Sequence, residues 1–135
     1  MRRSFLAGLV TLAAAGAVGC GAEYHPNDPR PPAGVEISGK IDNHRVVVAP
    51  SSIGAGLAQI TFSNQSDEAV TLDLFDGTGQ QAGTTNEIAA GGVGNVQINL
   101  KRGDYEIAPD VGTIASGTLA VGPERPSAQN DLLLP

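Results

Sequence analysis

The stretch "RGDYEIAPDVGTIASGTLAVG", Arg102 to Gly122, decides how this chain folds. "DYEIA" and "SGTLAVG" alternate apolar and polar residues with a period of two, the mark of strands with one face in a core and the other in water. Just upstream, "LKRGDY" places a Leu, a Gly-containing turn and Tyr105 at the start of the next strand. That is the outline of a tyrosine corner, in which the phenol hydroxyl bonds back to upstream backbone and fixes a Greek-key crossing. Arg102-Gly103-Asp104 is therefore read as a hairpin turn in which Gly103 takes a positive φ, and not as an adhesion tripeptide. The loop between the two strands, "APDVGTIAS", contains no Cys, His or Met.

Upstream the same period recurs. "VEISGKI" sets Val35, Ile37, Gly39 and Ile41 against Glu36, Ser38 and Lys40, and "RVVVAP" follows. "SSIGAG" reads as a turn. "LAQITFSN" puts Ala58, Ile60 and Phe62 on one face, "AVTLDLF" does so with Val70, Leu72 and Leu74, and "NVQINL" with Val96, Ile98 and Leu100. "DGTG" is a further turn. About seven short strands at 8–12-residue spacing, divided by Gly, Asn, Asp and Pro, predict an all-β, antiparallel Greek-key sandwich over residues 35–121. No segment after residue 20 has a helical period. Gly is abundant and aromatics are few, so the core is aliphatic.

The chain begins "MRRSFLAGLVTLAAAGAVGC": a basic start, an apolar run from Phe5 to Val18, then the sole cysteine, Cys20. Charge and length mark residues 1–19 as an export signal, too short for a comfortable membrane span. A single cysteine excludes an intramolecular disulfide, so the exported domain relies on its core. "GAEYHPNDPRPPAG", with four prolines, completes a tether over residues 20–34 that stretches to roughly 40 Å at about 3.1 Å per residue. From Cys20 onward the chain carries six basic and fourteen acidic side chains, a net charge of −8. Such a surface argues against nucleic acid as a partner and against avid binding to anionic headgroups.

Two resemblances follow from these residues. The start, ending in "AVGC", resembles the lipobox of bacterial lipoproteins, with Ala17 where that family most often has Leu. The resemblance implies that Cys20 takes a diacylglyceryl group and becomes the N-terminus of a protein anchored by acyl chains at the extracytoplasmic face of the cell membrane, with an unknown protein or other envelope partner. The fragments "ITFSN", "INLKRGDYEI" and "SGTLAV" are similar to cupredoxins, which hold one copper with two His, one Cys and usually a weak Met. By that likeness the first His falls near Val70 to Leu72, the Cys around Ala108 or Pro109, and the second His and the Met between Asp110 and Ser116. None of those positions carries a ligand. The expectation is a cupredoxin-like domain without copper or another cofactor, acting as a binding or structural module.

Other chemistry is thinly supported. His44 in "IDNHRVV" and His25 in the tether are a turn and a linker histidine; with surface carboxylates they give the alternative of a weak copper or other metal-handling envelope protein. "DLFDGTG", with Asp73, Asp76 and Gly77, lacks the regular donors of a calcium loop. "SNQS" spells a glycosylation sequon at Asn64, normally left unmodified in a bacterial chain. There is no Gly-x-Ser-x-Gly elbow, no available Cys nucleophile and no paired carboxylates, so an enzyme is not expected, although an accessory domain of an envelope hydrolase is a third class. The tail over residues 122–135, "GPERPSAQNDLLLP" from Gly122, ends in Leu132, Leu133 and Leu134. An apolar tip on a terminus calls for cover: either it packs on the sandwich while "GPERPSAQ" stays looser, or it docks a partner.

Overall fold

The computed structural model describes residues 32–127, and within them the chain is all β. Eight strands follow in order: β1 (Val35–Ile41), β2 (Val46–Ala49), β3 (Ser52–Asn64), β4 (Leu72–Phe75), β5 (Gln81–Thr84), β6 (Val93–Leu100), β7 (Gly103–Pro109) and β8 (Gly117–Glu124). One sheet runs β2-β1-β3-β6 and the other β3-β8-β7-β4-β5, so β3 belongs to both. The described residues contain no helix long and apolar enough to cross a membrane.

The alternation read from sequence is the alternation buried. Ala58, Ile60 and Phe62 of β3, Val70, Leu72 and Leu74 in and before β4, and Val96, Ile98 and Leu100 of β6 face one core, with Ile37, Ile41, Ile107 and Leu119 completing it. Burying each large aliphatic side chain is worth about 1.5–3 kcal/mol, which is how a sheet pair without helices holds together. Phe62 and Tyr105 are the aromatic members. Gly39 makes room for the first of these: a Cβ there would stand 2.2 Å from the Phe62 ring. Its place beside Phe62 in the β1–β3 register explains why an inward position holds no side chain.

Three details differ from the sequence reading. The pairings are not all antiparallel: β1 runs parallel to β3 over its whole length, and β3 runs parallel to β8. A period of two is the same for either orientation, so alternation cannot report it. "SSIGAG" is not a free turn, because Ser52–Ala55 pair with β8 before the strand changes sheet at Gly54–Gly56, where a register shift and a φ of 130° at Gly56 make the corner. "RGD" is not a hairpin, because β6 pairs with β3 whereas β7 pairs with β4 and β8. The segment crosses between sheets, with Gly103 at φ 143°.

The last strand also runs three residues past Val121, to Glu124. Arg125 then donates its N–H to the Ala55 carbonyl at 3.1 Å, and Ser127 is buried. The beginning of "GPERPSAQ" is therefore held on the domain and not loose. Gln81–Thr84 adds a strand that sequence reading missed, since "QAGT" presents no large apolar side chain.

Candidate functional site

The positions at which copper ligands are expected meet at one end of the sandwich. Leu72 pairs with Pro109 and Asp73 with Ala108 in the β4–β7 ladder. One step further, Asp110 N–H donates to the Thr71 carbonyl at 3.0 Å, and Thr71 N–H donates to Asp110 Oδ1 at 2.8 Å. The 110–116 loop is closed by Ile114 N–H on the Val111 carbonyl and is tied to the 42–46 turn by Val46 N–H on Ala115 O and Ala115 N–H on His44 O. What fills the end is aliphatic: Val70 is wholly buried, Ile114 is buried, and Val111 packs against the core. A depression of about 180 Å³ remains, lined by Val111, Thr113 and Ile114 on one side and by Asn43, Ser66, Asp67 and Glu68 on the other.

Imidazole and thiolate are the donors a soft trigonal metal requires. Among the described residues His44 is the sole histidine, and the chain's one cysteine and one methionine, Cys20 and Met1, lie outside them. No group of three or more His, Cys, Asp or Glu side chains is placed to hold a metal ion among the described residues. The positions lie near one another and carry side chains that do not fit copper.

The polar chemistry at this end is structural and centres on Asn64, at the end of β3. Its side chain is fully buried. The amide nitrogen donates to the Glu68 carbonyl at 2.7 Å and to the Ile88 carbonyl at 2.9 Å; the amide oxygen accepts from Ser66 N–H at 3.0 Å and Ser66 Oγ at 2.6 Å. Its backbone meets the next turn as well, through Gly92 O and Gly91 N–H. One residue thus joins the 65–69 loop, the 85–92 loop and β3. A buried amide with all these groups satisfied specifies one loop arrangement. It also leaves no accessible nitrogen at the sequon. The signal was present in "SNQS", since an Asn two residues before a Ser is an Asx-turn pattern.

Beside it, Asn43 and Asp67 bridge two loops: Asn43 Nδ2 donates to Asp67 Oδ2 and Asp67 N–H to Asn43 Oδ1, both at 2.9 Å. His44 is exposed in the 42–45 turn. Its N–H donates to Asp42 Oδ1 at 2.9 Å, as does that of Arg45 at 3.0 Å, and Lys40 Nζ lies 3.1 Å from Asp42 Oδ2. The His44 N–H bond, then Lys40, then the Arg45 N–H hold the Asp42 carboxyl down at about 2. Asp76 does similar work in the β4–β5 turn: the Thr78 hydroxyl, then the N–H groups of Gln80 and Thr78, lower its carboxyl below the ordinary range. All three bonds fall on its Oδ1, which organises the turn.

Tyr105 sits where β7 begins and is 4% exposed. Its hydroxyl oxygen accepts the Lys101 N–H at 2.9 Å, bonding back across the crossing between sheets. Cys20, His25, Leu132, Leu133 and Leu134 lie outside the described residues. Arg125, which sequence reading passed over, donates Nη2 to the Leu57 carbonyl at 2.6 Å.

No protein-family profile matches the sequence, and no curated protein does. Solved structures do match. Dithionite-reduced auracyanin from the photosynthetic bacterium Roseiflexus castenholzii is 12% identical with a TM-score of 0.50, over 70% of this chain and 100% of that one. Auracyanin A, a blue copper protein from Chloroflexus aurantiacus, is 14% identical with a TM-score of 0.49, over 67% and 99%. A Cu(I) variant of amicyanin is 13% identical with a TM-score of 0.42, over 62% and 80%. At such identities the likeness concerns the fold. The chain is an all-β sandwich of the cupredoxin-like fold, with no metal-binding group among its described residues.

Proposed function

We propose that this protein is a lipid-anchored extracytoplasmic lipoprotein whose cupredoxin-like sandwich serves as a binding or structural module, without a copper site and without enzymatic activity. The observation that carries the reading is the aliphatic closure of the copper end by Val70, Val111 and Ile114. Val70 and Ile114 belong to the core and Val111 packs against it, and the depression of about 180 Å³ that remains beside them offers no imidazole or thiolate. The anchoring half rests on sequence: the basic start, the apolar run and "AVGC" before the Pro-rich tether. The described chain starts beside β1, and Val35 to Ile41 carries it about 20 Å along the sandwich to the closed end. That end lies opposite the point where the described chain enters β1, and on this reading its 42–45, 65–69 and 110–116 loops would be the ones presented to an envelope partner.

The test combines two measurements. In a bacterial host the parent should fractionate with membranes, and Cys20→Ser should be released or held as precursor. Calorimetric titration of the mature protein with Cu(I) and Cu(II) should give no stoichiometric site at micromolar affinity. A Cys20→Ser variant that stays membrane-bound with its signal removed would refute the lipid anchor. One tight copper site per chain would restore the metal-handling alternative with His25 and His44.

A further inference from the structure

Strand β6 forms one edge of its sheet, and that edge lacks the devices that keep edges from pairing. β6 is bonded to β3 from Val93 to Leu100 without a register shift, and to no other strand among the described residues. Its eight residues, "VGNVQINL", include no proline and no charged side chain. β2 and β5 lie at sheet edges too, but each is four residues long, and the β5 ladder carries a register shift. Short, bulged, charged or proline-bearing edges resist the addition of another strand, whereas a longer, regular, neutral edge accepts one.

The phase of the ladder shows which backbone groups are left over. The Leu57 carbonyl accepts from Arg125 Nη2, which also lies 3.4 Å from the carbonyl of Ala33, just before β1. Leu57 thus turns its carbonyl away from β6, and Leu57–Asn99 is a non-hydrogen-bonded pair. By alternation, Gln59–Gln97 and Thr61–Asn95 are pairs of the same kind. The N–H and C=O groups of Asn95, Gln97 and Asn99 therefore point away from β3, and no described strand or loop bonds to them. Their side chains are exposed amides, while Val96 and Ile98 face the core. A groove of about 440 Å³ runs beside this edge, between residues 80–82 and 97–99.

We propose that β6 is the interface of a symmetric dimer, pairing antiparallel with β6 of a second copy about a two-fold axis at Gln97. The strand is self-complementary. Turned end for end about Gln97, it sets Asn95 opposite Asn99, Gln97 opposite Gln97 and Val96 opposite Ile98. Amide then meets amide on the outer face, and aliphatic meets aliphatic on the inner one. The outward N–H groups of each strand donate to the outward carbonyls of the other. Charge favours a second copy over a foreign strand. The chain is net negative, at −6, so two copies repel over most of their surface. Along β6 they meet without setting like charges together, whereas a foreign strand of opposite charge finds no counter-charge there. One strand pair is a small interface beside the roughly 1,200–2,000 Å² of stable complexes, so the dimer is reversible and concentration-dependent. It needs neither lipid nor copper and stands or falls separately from the proposed function.

Sedimentation velocity on the chain from residue 20 onward tests it, with Cys20→Ser keeping the sole thiol out of the assay. The parent should pass from monomer to dimer as its concentration rises. Gln97 is exposed, so Gln97→Lys keeps the fold, which circular dichroism checks, and puts two lysines face to face at the axis. It should raise the dimer dissociation constant at least tenfold, and Gln97→Glu should do the same. Mixing the two variants in equal amounts should restore the dimer, because Lys then faces Glu. A parent that stays monomeric at millimolar concentration would overturn the proposal. So would a dimer that neither variant weakens, or one that the mixture does not restore. Amides of Asn95, Gln97 and Asn99 that gain protection from exchange only when another protein is added would overturn it too, in favour of a foreign strand.

Discussion

Asn64→Ala is the substitution whose cost the structure defines best. Four hydrogen bonds disappear, but their partners fare differently. The Glu68 carbonyl keeps the Ser66 hydroxyl at 3.1 Å, and the Ile88 carbonyl keeps Val70 N–H at 3.0 Å. Ser66 N–H has no second acceptor and is left orphaned in a buried residue. An orphaned buried donor costs about 1–3 kcal/mol, and each of the two carbonyls loses a second bond worth about 0.5–1.5 kcal/mol. The sum is roughly 2–6 kcal/mol, a large part of the 5–15 kcal/mol typical of a whole domain. Urea denaturation followed by tyrosine fluorescence or circular dichroism reads it, as a lower midpoint with unchanged slope. Asn64→Asp sharpens the test. It keeps the acceptor for Ser66 but turns a carboxyl oxygen toward two carbonyls, so the folded state favours the protonated acid. Its folded pKa is then raised above the ordinary value of about 3.9, and the folded chain binds more protons than the unfolded one. Stability must fall as pH rises above that value, so Asn64→Asp should be closer to the parent at pH 4 than at pH 7. A loss below about 1 kcal/mol for Asn64→Ala, or a pH-independent Asn64→Asp, would refute the three-loop knot.

Two smaller effects follow from the same kind of reasoning. Tyr105→Phe removes the acceptor of the Lys101 N–H; because Lys101 is exposed, that N–H can turn to water, and the denaturation midpoint should shift by about 1 kcal/mol, whereas no shift would mean the bond across the sheets contributes nothing. Asp42 is held near 2, so its contribution to stability is fully present above its ordinary value of 3.8 and is lost as pH falls from there through about 2. Asp42→Asn should therefore flatten the acid limb of the parent's stability curve between pH 4 and 2, and an unchanged limb would show that the turn does not hold the carboxylate.

Much of the architecture was legible because apolar alternation is a direct imprint of a two-sided sheet. Phe62 and Leu100 could be assigned to the core from their neighbours alone. Strand direction could not, since β1 would carry the same pattern beside β3 in either orientation. The segment from Ser52 to Ala55 was misread because its glycines look like a turn; they are needed where β3 changes sheet and where Arg125 lies, and both reasons are tertiary. "QAGT" was missed for the opposite cause, as an edge strand held by β4 needs no apolar side chain. At the copper end, the missing ligand types could be counted from sequence. The burial of Val70 could be read from alternation as well, but that of Ile114 could not, because loop residues reveal burial only once the turns are placed. Arg125 sat among prolines and looked like linker.

The placement of β1 has a mechanical consequence. In the anchored form proposed above, a pull on the N-terminal side would enter the domain at Val35 and run along the strand axis toward Ile41. β1 is bonded on both flanks, to β3 from Val35 to Ile41 and to β2 from Ser38 to Ile41. When the opposing load is taken at the far loops, those rungs are strained together in shear and do not open one after another. Rupture then requires many bonds to fail at once, so resistance to force is set by the unfolding rate and can exceed what equilibrium stability suggests. A domain of modest thermal stability built this way would still tolerate traction along its own leash.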